Sequence, residues 1–226
     1  MTTPSCPWFL IPDSLLLIYG KWKVSQWLQS FCDLKGYEYE ICDDSDAPDD
    51  FERYEKIIPS PGVPWTHPIY ETDKIVCELD FLSAHIPEGF KKICVTGTDG
   101  KSTVCHITHQ LLLKSLPDTP VYLTGNFDEP LGTTLTNLLK KWEIHGILVI
   151  EVSSFMSHAM KVFESDITAI TNLQPDHLDW HRNIDEYYTA KRNLLEQTSW
   201  IVIMPEKLPI SVSHSRIRNF STSTPT

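Results

Sequence analysis

The sequence lacks a long hydrophobic run. Its longest apolar stretch, Leu15 to Tyr19, has only five residues, whereas a helix that crosses a bilayer needs about 20 apolar residues. We therefore expect no membrane span. The first residues also lack a basic region followed by an apolar segment and a small-residue cleavage site, so we expect no secretory signal.

Closely spaced cysteines and an excess of basic residues are lacking as well. The six cysteines show neither C-x-x-C spacing nor the crowding of a small disulfide scaffold, which indicates reduced thiols in the cytoplasm. The 19 Lys and Arg residues are outnumbered by 30 Asp and Glu residues, which gives a net charge of −11. This charge disfavours a nucleic-acid partner, because the phosphates would be repelled. Helix N-termini, backbone amides or metal ions would have to hold any anionic ligand.

The composition that remains is that of a soluble globular protein, with 41% hydrophobic and 22% charged residues in 226. Short apolar runs alternate with helical stretches, which is typical of parallel βαβ units and predicts an α/β fold with mainly parallel sheets. Proline and glycine interrupt the pattern at residues 86–89. We therefore predict two consecutive three-layer domains, residues 1–86 and residues 87–226.

The apolar runs also predict the individual elements. In the first group we predict a helix at residues 24–35 and strands at 14–19, at 37–42, within 54–65 and at the start of 73–85, the last running into a short helix. In the second group we predict strands at 92–96, 121–124, 146–154, from 166 and at 200–206, and helices at 101–116, 133–142 and 183–197. Val104, Ile107 and Leu111 recur at helical spacing. The Ser- and Thr-rich tail is predicted to be the irregular end of a domain.

A phosphate-binding pattern, G-x-x-G-K-S, spans Gly97 to Ser102 between a predicted strand and a predicted helix. Glycines let backbone amides point at phosphate oxygens, the helix N-terminus adds partial positive charge, Lys101 can reach the terminal phosphates, and Ser102 can ligate Mg²⁺. Val95 stands where the usual Walker pattern has glycine. The alternative is a tight strand-to-helix turn with a solvated lysine.

Acidic and histidine side chains follow two of the predicted strands. Glu151 ends a strongly apolar strand, and a carboxylate there is well placed to hold a Mg²⁺ ion that bridges phosphates. The alternative is a carboxylate that pairs with a lysine or caps a helix. A second loop carries Asp176, His177, Asp179 and His181 on the same rim. His177 is a candidate ligand, although a lone histidine is more often structural or exposed.

Lys191 falls on the apolar face of its predicted helix. With Asn183 and Glu186 spaced as a capping box, the residues that share this face are Tyr187, Lys191, Leu194 and Leu195. A lysine at the centre of such a face must find an anion, lose its charge or be chemically modified. The alternative is that its amine reaches the edge of the helix and stays in water.

Four segments, "VTGTDGKST", "EVSSF", "TNLQPDHLDWH" and "EYYTAK", occur in this order and at this spacing. Together they resemble the central ATPase domain of the Mur ligases, the ATP-dependent amide ligases of peptidoglycan precursor synthesis. "SPGVPWTHP" and "EVSSF" resemble the branch that adds D-glutamate to UDP-N-acetylmuramoyl-L-alanine. The resemblance covers about residues 14 to 221. It implies a small Rossmann-like domain for the UDP-sugar, followed by a phosphate-loop ATPase domain.

The resemblance also implies roles for individual residues. The triphosphate of ATP would be bound by the loop residues Gly97, Thr98, Asp99, Gly100, Lys101, Ser102 and Thr103. Two Mg²⁺ ions would be held by Ser102, Glu151, His177 and Lys191, the lysine as a carbamate. The catalytic residues would be Lys101, His177 and Lys191. The sugar-nucleotide substrate would contact Asn126, Ser153, Ser60 and Gly62.

Two features depart from the family pattern. The first glycine-rich loop reads "YGKWKVSQWL" and keeps only Gly20, so the resemblance assigns no UDP contact there, and Lys21, Lys23 and Ser25 are candidates for contacting the diphosphate. The relatives also continue into a C-terminal domain that binds the amino acid, for which we expect no counterpart within these residues. The 226 residues by themselves are therefore expected to bind nucleotide and not to ligate.

Three functions are consistent with these patterns. The first is the D-glutamate-adding ligase. The second is another Mur-type or folylpolyglutamate-type ligase, against which "SPGVPWTHP" argues. The third is a nucleotide-binding module without catalysis, against which the combination of Lys101, Glu151, His177 and Lys191 argues.

Overall fold

The first sheet is small and entirely parallel. The structure, a computed structural model, describes residues 14–21, 23–127 and 129–221. Strand β1 (Leu15–Tyr19) leads through helix α1 (Lys23–Lys35) to β2 (Glu38–Cys42), and β3 (Lys56–Pro59) completes the order β2-β1-β3. Four of the five β1 residues are buried, as a central parallel strand covered on both faces requires.

The prediction of a fourth strand in this sheet is wrong. The segment contributes one isolated bridge, between Ile57 and Ile75, and then enters helix α2 (Glu78–Ser83). Cys77 caps this helix, since its sulfur accepts a hydrogen bond from the backbone N–H of Asp80. Acidic residues in the first turn also favour a helix start. These local signals end the extended segment before a strand forms.

The second sheet has six parallel strands in the order β5-β6-β4-β7-β8-β9. Its strands are β4 (Gly89–Thr96), β5 (Val121–Gly125), β6 (His145–Glu151), β7 (Ser165–Ile170), β8 (Thr198–Pro205) and β9 (Ile217–Phe220). Helices α3 (Lys101–Ser115), α4 (Leu131–Lys141), α5 (Ser154–Ser157) and α6 (Ile184–Glu196) connect them. The predicted α/β fold with mainly parallel sheets is thereby confirmed.

Two details of this part of the chain differ from the predictions. The tail is not irregular throughout, because β9 pairs with β8. Strand β6 ends at Glu151, and not at residue 154, because the Ser153 hydroxyl caps α5. The predicted helix α3 packs on the sheet through Cys105, Val104 and Leu112, whereas Ile107 is 55% and Leu111 58% exposed.

Asp80 joins the two sheets. Its carboxylate accepts hydrogen bonds from the backbone N–H groups of Lys161, Val162 and Phe163 at 2.7, 3.1 and 2.8 Å. One cluster of buried apolar residues also runs from β1 to α6, including Leu16 and Leu194. In the part of the chain that the structure describes, no helix is long and apolar enough to cross a membrane.

Candidate functional site

The phosphate loop lies between the carboxyl end of β4 and the first turn of α3. Gly97 and Gly100 both have positive φ, 141° and 78°. Gly100 is the N-cap of α3 and makes no side-chain capping bond, so the first N–H groups of the helix are not blocked by a cap. A helix N-terminus of this kind favours the binding of an anion.

The segment after β7 fixes the shape of this loop. Asn172 makes three contacts with it: its carbonyl accepts from Thr98 N at 3.1 Å, its Oδ1 accepts from Asp99 N at 3.0 Å, and its Nδ2 donates to Asp99 O at 3.0 Å. The Thr98 hydroxyl bonds Gln174 O and lies 2.9 Å from the Tyr187 hydroxyl. Hydrogen bonds from neighbouring elements therefore fix the backbone of the loop.

Lys101 folds back onto the loop. Its Nζ donates to the Thr98 carbonyl at 2.7 Å, and the side chain is partly buried. Lys101 is therefore not a solvated lysine, which was the alternative for this residue. A phosphate in the loop would offer the ammonium group a charged acceptor in place of a neutral carbonyl, which is the stronger kind of hydrogen bond.

Glu151 is buried at the end of β6. Its Oε1 accepts from Asn126 Nδ2 at 3.2 Å, while its Oε2 is buried and has no hydrogen-bond partner among the described residues. Neither a lysine pair nor a helix cap, the two alternatives for this residue, is formed within that part of the chain. An unpartnered buried carboxylate oxygen is costly unless a cation or a donor meets it. The residue thus fits a hard cation such as Mg²⁺.

Lys191 is 2% exposed, and its apolar helix face is buried as the spacing predicted. Its Nζ donates to the Gly97 carbonyl at 2.8 Å and lies 4.8 Å from the centre of the Tyr187 ring. Burial, with a smaller contribution from the charge of Lys101, lowers the pKa of Lys191 to about 7, while Asp176 and Glu151 act in the opposite direction. A substantial fraction of the side chain is therefore a free amine near neutral pH.

The two histidines of the loop after β7 occupy different environments. His177 has φ 52° and a side chain that is 43% exposed, with Nε2 3.4 Å from Asp176 Oδ2. His181 is buried, its Nε2 lies 3.0 Å from Ser154 Oγ, and its Nδ1 has no partner among the described residues. Burial lowers the pKa of His181 to about 4, with smaller contributions from His177 and Lys191. Asp179 is exposed.

Of the residues predicted to contact the substrate, only Asn126 is in direct contact with Glu151. Asn126 follows β5 and is tied to Glu151 by both its backbone N–H and its side chain. The Ser153 hydroxyl already caps α5, and the Ser60 hydroxyl donates to Gly20 O at 3.0 Å, so both are engaged within the protein. Gly62 is exposed in the turn that follows.

Two of the residues near Gly20 that were candidates for contacting the diphosphate, Lys21 and Ser25, are paired or buried within the protein. Lys21 forms an ion pair with Asp46 on the acidic loop after β2. Ser25 is buried, and the side chain of Lys23 lies outside the described residues.

Sequence reasoning missed three residues that shape this region. Asn172 holds the phosphate loop, Trp180 Nε1 donates to Pro61 O at 3.0 Å and so ties the histidine loop to the loop after β3, and Glu78 is a buried acid. Only Glu78 left a signal in the sequence, since it stands in the apolar run "IVCELDFL". The other two contacts join segments more than 70 residues apart.

The chain is similar to proteins of known class. A family model described as "Mur ligase middle domain" matches residues 95–223. A protein named "UDP-N-acetylmuramoylalanine--D-glutamate ligase" from Aquifex aeolicus is 33% identical over 171 residues, which are 72% of this chain and 39% of that protein. A protein of the same name from Francisella tularensis is 34% identical over 192 residues, which are 81% of this chain and 44% of that protein. The chain thus spans less than half the length of these relatives.

A solved structure supports the fold. The structure of UDP-N-acetylmuramate:L-alanyl-gamma-D-glutamyl-meso-diaminopimelate ligase from Neisseria meningitides aligns with a TM-score of 0.52 and 12% identity, over 87% of this chain and 72% of that one. At that identity the likeness concerns the fold and not the substrate.

Proposed function

The chain belongs to the Mur ligase family, and from this premise we propose that it provides the ATP site and the sugar-nucleotide site of a ligase that adds D-glutamate to UDP-N-acetylmuramoyl-L-alanine. Relatives that carry this activity in their names are 33% and 34% identical to it. Because the chain spans less than half of those proteins, the complete activity and its substrates are part of the proposal.

One observation carries the proposal. Three groups suited to phosphoryl transfer lie around the same loop: the amide-lined turn that begins at Gly97, the buried carboxylate Glu151 with an unpartnered oxygen, and the buried amine Lys191, whose pKa is lowered to about 7. A tight turn with no ligand needs neither an unpartnered acid nor a desolvated lysine beside it. Residues 87–226 are accordingly the proposed ATPase domain, and residues 1–86 the proposed sugar-nucleotide domain.

The proposed reaction has two steps. A carboxylate oxygen of the alanine attacks the γ-phosphorus of ATP, and ADP leaves. The amine of D-glutamate then attacks the resulting acyl carbon, phosphate leaves as the amide forms, and the nitrogen releases a proton. The loop amides and Lys101 would hold the phosphates in line and offset the charge that develops during transfer.

The residues that would hold Mg²⁺ are Ser102, Glu151, His177 and Lys191. When bound, the cation supplies stabilisation of the developing phosphate charge. In the described residues no three His, Cys, Asp or Glu side chains already form a metal site, so Lys191 would have to become an anion to take part. Its free amine can react with CO₂ to give a carbamate and release a proton, which would convert it into an oxygen ligand.

Titration calorimetry with ATP, with and without Mg²⁺, tests the nucleotide site. We expect binding that requires the metal, and no binding in either condition would contradict the proposal. The substrate assignment is tested by titrating UDP-N-acetylmuramoyl-L-alanine and, separately, UDP-N-acetylmuramate. Equal affinity for both would contradict the assignment to the D-glutamate-adding branch, since that branch must recognise the alanine.

A further inference from the structure

Glu78 forms part of the wall of three adjoining cavities beside the first sheet. The roomiest, about 90 Å³, is lined by Trp27, Pro61, Glu78, Gly125, Asn126, Pro130, Leu131 and Met156, and we call it the Glu78 cleft. Its walls come from α1, α2, the loop after β3, the end of β5 and the loop after it, the start of α4, and α5. A ligand in the cleft would therefore contact both halves of the chain.

The carboxyl group of Glu78 has no partner among the residues that the structure describes. The residue is 9% exposed, and no group within the described ranges donates a hydrogen bond to its carboxylate or pairs with its charge. Asp80, two residues further along the same helix, is buried as well, but it accepts three backbone N–H groups. Buried acids in folded proteins are normally satisfied in the way that Asp80 is. The contrast, together with the place of Glu78 on the walls of three cavities, leaves its carboxyl group available to a ligand.

The lining of the cleft indicates the chemistry of that ligand. Trp27, Pro130, Leu131 and Met156 provide apolar walls, and Asn126 adds an amide. A predominantly apolar pocket with a few polar groups suits a ring or an acyl group that carries separate hydrogen-bonding atoms. Phosphate fits less well, because an ionised Glu78 would repel it and the described side chains that line the cleft include no lysine or arginine.

We propose that Glu78 is a substrate-binding residue whose carboxyl group hydrogen-bonds a hydroxyl or amide group in the sugar–peptide part of the substrate. This inference rests on the proposed function, since it places part of the sugar nucleotide in the Glu78 cleft. The cleft adjoins the phosphate-transfer site, because Asn126 lines it and also bonds Glu151. Contact at Glu78 would thus position the sugar while its peptide reaches toward the γ-phosphate.

The neutral acid is the form suited to this contact. Burial raises the pKa of Glu78 to about 7, so the group is largely protonated below that pH. A protonated carboxyl offers one O–H donor and one C=O acceptor, which can engage a sugar hydroxyl or an amide in both directions. A glutamine offers the same combination without a charge.

Three variants test the inference: Glu78→Leu, Glu78→Gln and, as a matched control, the exposed Glu71→Gln. Titration calorimetry is performed with UDP-N-acetylmuramoyl-L-alanine, with UDP and with Mg-ATP. For Glu78→Leu we expect the affinity for the sugar-peptide to fall about 10-fold to 100-fold, while the affinities for UDP and Mg-ATP stay within about twofold. Glu78→Gln should bind the sugar-peptide within about threefold of the unsubstituted protein, as should Glu71→Gln.

The pH dependence is a second readout, which does not require the leucine variant to fold. As the pH rises through about 7, ionisation of Glu78 should weaken sugar-peptide binding in the unsubstituted protein and leave Glu78→Gln unaffected. Tyr70, Cys77 and His158 face the same cavities. Burial raises the pKa of the first two and lowers that of His158 to about 4, so all three stay neutral in this range. Asp80 is common to both proteins.

Four results would overturn the proposed role of Glu78. Equal binding of the sugar-peptide by Glu78→Leu, or a pH profile shared by Glu78→Gln, overturns the role of Glu78 and leaves the proposed function standing. A parallel loss of UDP and Mg-ATP binding in Glu78→Leu also overturns it, because that pattern marks a structural residue. If the unsubstituted chain binds Mg-ATP but no sugar-peptide, the substrate half of the proposed function fails together with the inference.

Discussion

The Nζ atom of Lys191 donates a 2.8 Å hydrogen bond to the carbonyl oxygen of Gly97, 94 residues away in the sequence. The amine of α6 and the backbone of the phosphate loop are therefore in direct contact. Lys101 binds the next carbonyl of the same loop, that of Thr98. Two lysines at adjacent carbonyls explain why the charge of Lys101 lowers the pKa of Lys191 in addition to burial.

Lys191 should make the stability of the protein depend on pH. Its pKa is about 7 in the folded state and near 10.5 when it is exposed. Between these values the unfolded chain binds more protons, so the free energy of unfolding should rise as the pH increases from about 7 to about 10. In Lys191→Met, which keeps a long apolar side chain, this rise should be smaller. Urea denaturation in CO₂-free buffer measures it, and identical pH profiles for the two proteins would contradict the burial of a titrating amine.

Lys101 should contribute a charge-assisted contact to bound nucleotide. Lys101→Ala is expected to weaken Mg-ATP binding by about 1.5 to 3 kcal/mol, which is roughly 10-fold to 150-fold in Kd. Lys114→Ala, at the exposed far end of the same helix, is the matched control and should bind as the unsubstituted protein does. Titration calorimetry that gives one affinity for all three proteins would argue against the phosphate loop.

Glu151 should contribute to binding the metal more than to the fold. Glu151→Gln keeps an oxygen that can accept from Asn126, but it removes the charge of the buried and unpartnered Oε2. We expect the Mg²⁺ concentration needed for half-maximal ATP binding to rise about tenfold or more, with no loss of stability. The exposed Glu164→Gln serves as the control. An unchanged Mg²⁺ requirement would leave Glu151 without the proposed role.

The sequence predicted most of the sheets because parallel strands buried on both faces appear as continuous apolar runs. β1, β6 and the second half of β4 are of this kind. In α6 the helical spacing of apolar residues predicted the buried face that contains Lys191. β9 was missed because it is an edge strand whose residues, "IRNF", are mostly exposed. The spacing of Ile107 and Leu111 correctly indicated a helix, although both side chains are exposed.

The candidate site was predictable only where a local motif carries it. The loop from Gly97 to Ser102 is one continuous segment, so its glycines and its lysine indicate its shape. The contacts of Asn172 with that loop, and the Glu78 cleft, depend on segments that only the folded chain brings together. No spacing in the sequence reports such contacts.

Gly97 should tolerate no side chain. Its φ is 141°, and a Cβ placed there would lie 2.0 Å from Thr171 Oγ1. That hydroxyl cannot move away freely, because it donates to Asp99 O at 2.6 Å. Gly97→Ala should therefore displace the loop and reduce Mg-ATP affinity about 100-fold or more, through the backbone that aims the amides at phosphate.

Gly36 offers the matched control for that substitution. It also has a positive φ, 73°, but a Cβ there would meet nothing within 4 Å, and it lies beyond the end of α1, far from the phosphate loop in the sequence. Gly36→Ala should cost about 1 kcal/mol of stability, the price of a left-handed alanine, and leave the affinity for Mg-ATP unchanged. Calorimetry and urea denaturation of both variants separate the two effects. If Gly97→Ala bound Mg-ATP as tightly as Gly36→Ala does, the close packing of the loop against Thr171 would not be what orients its amides.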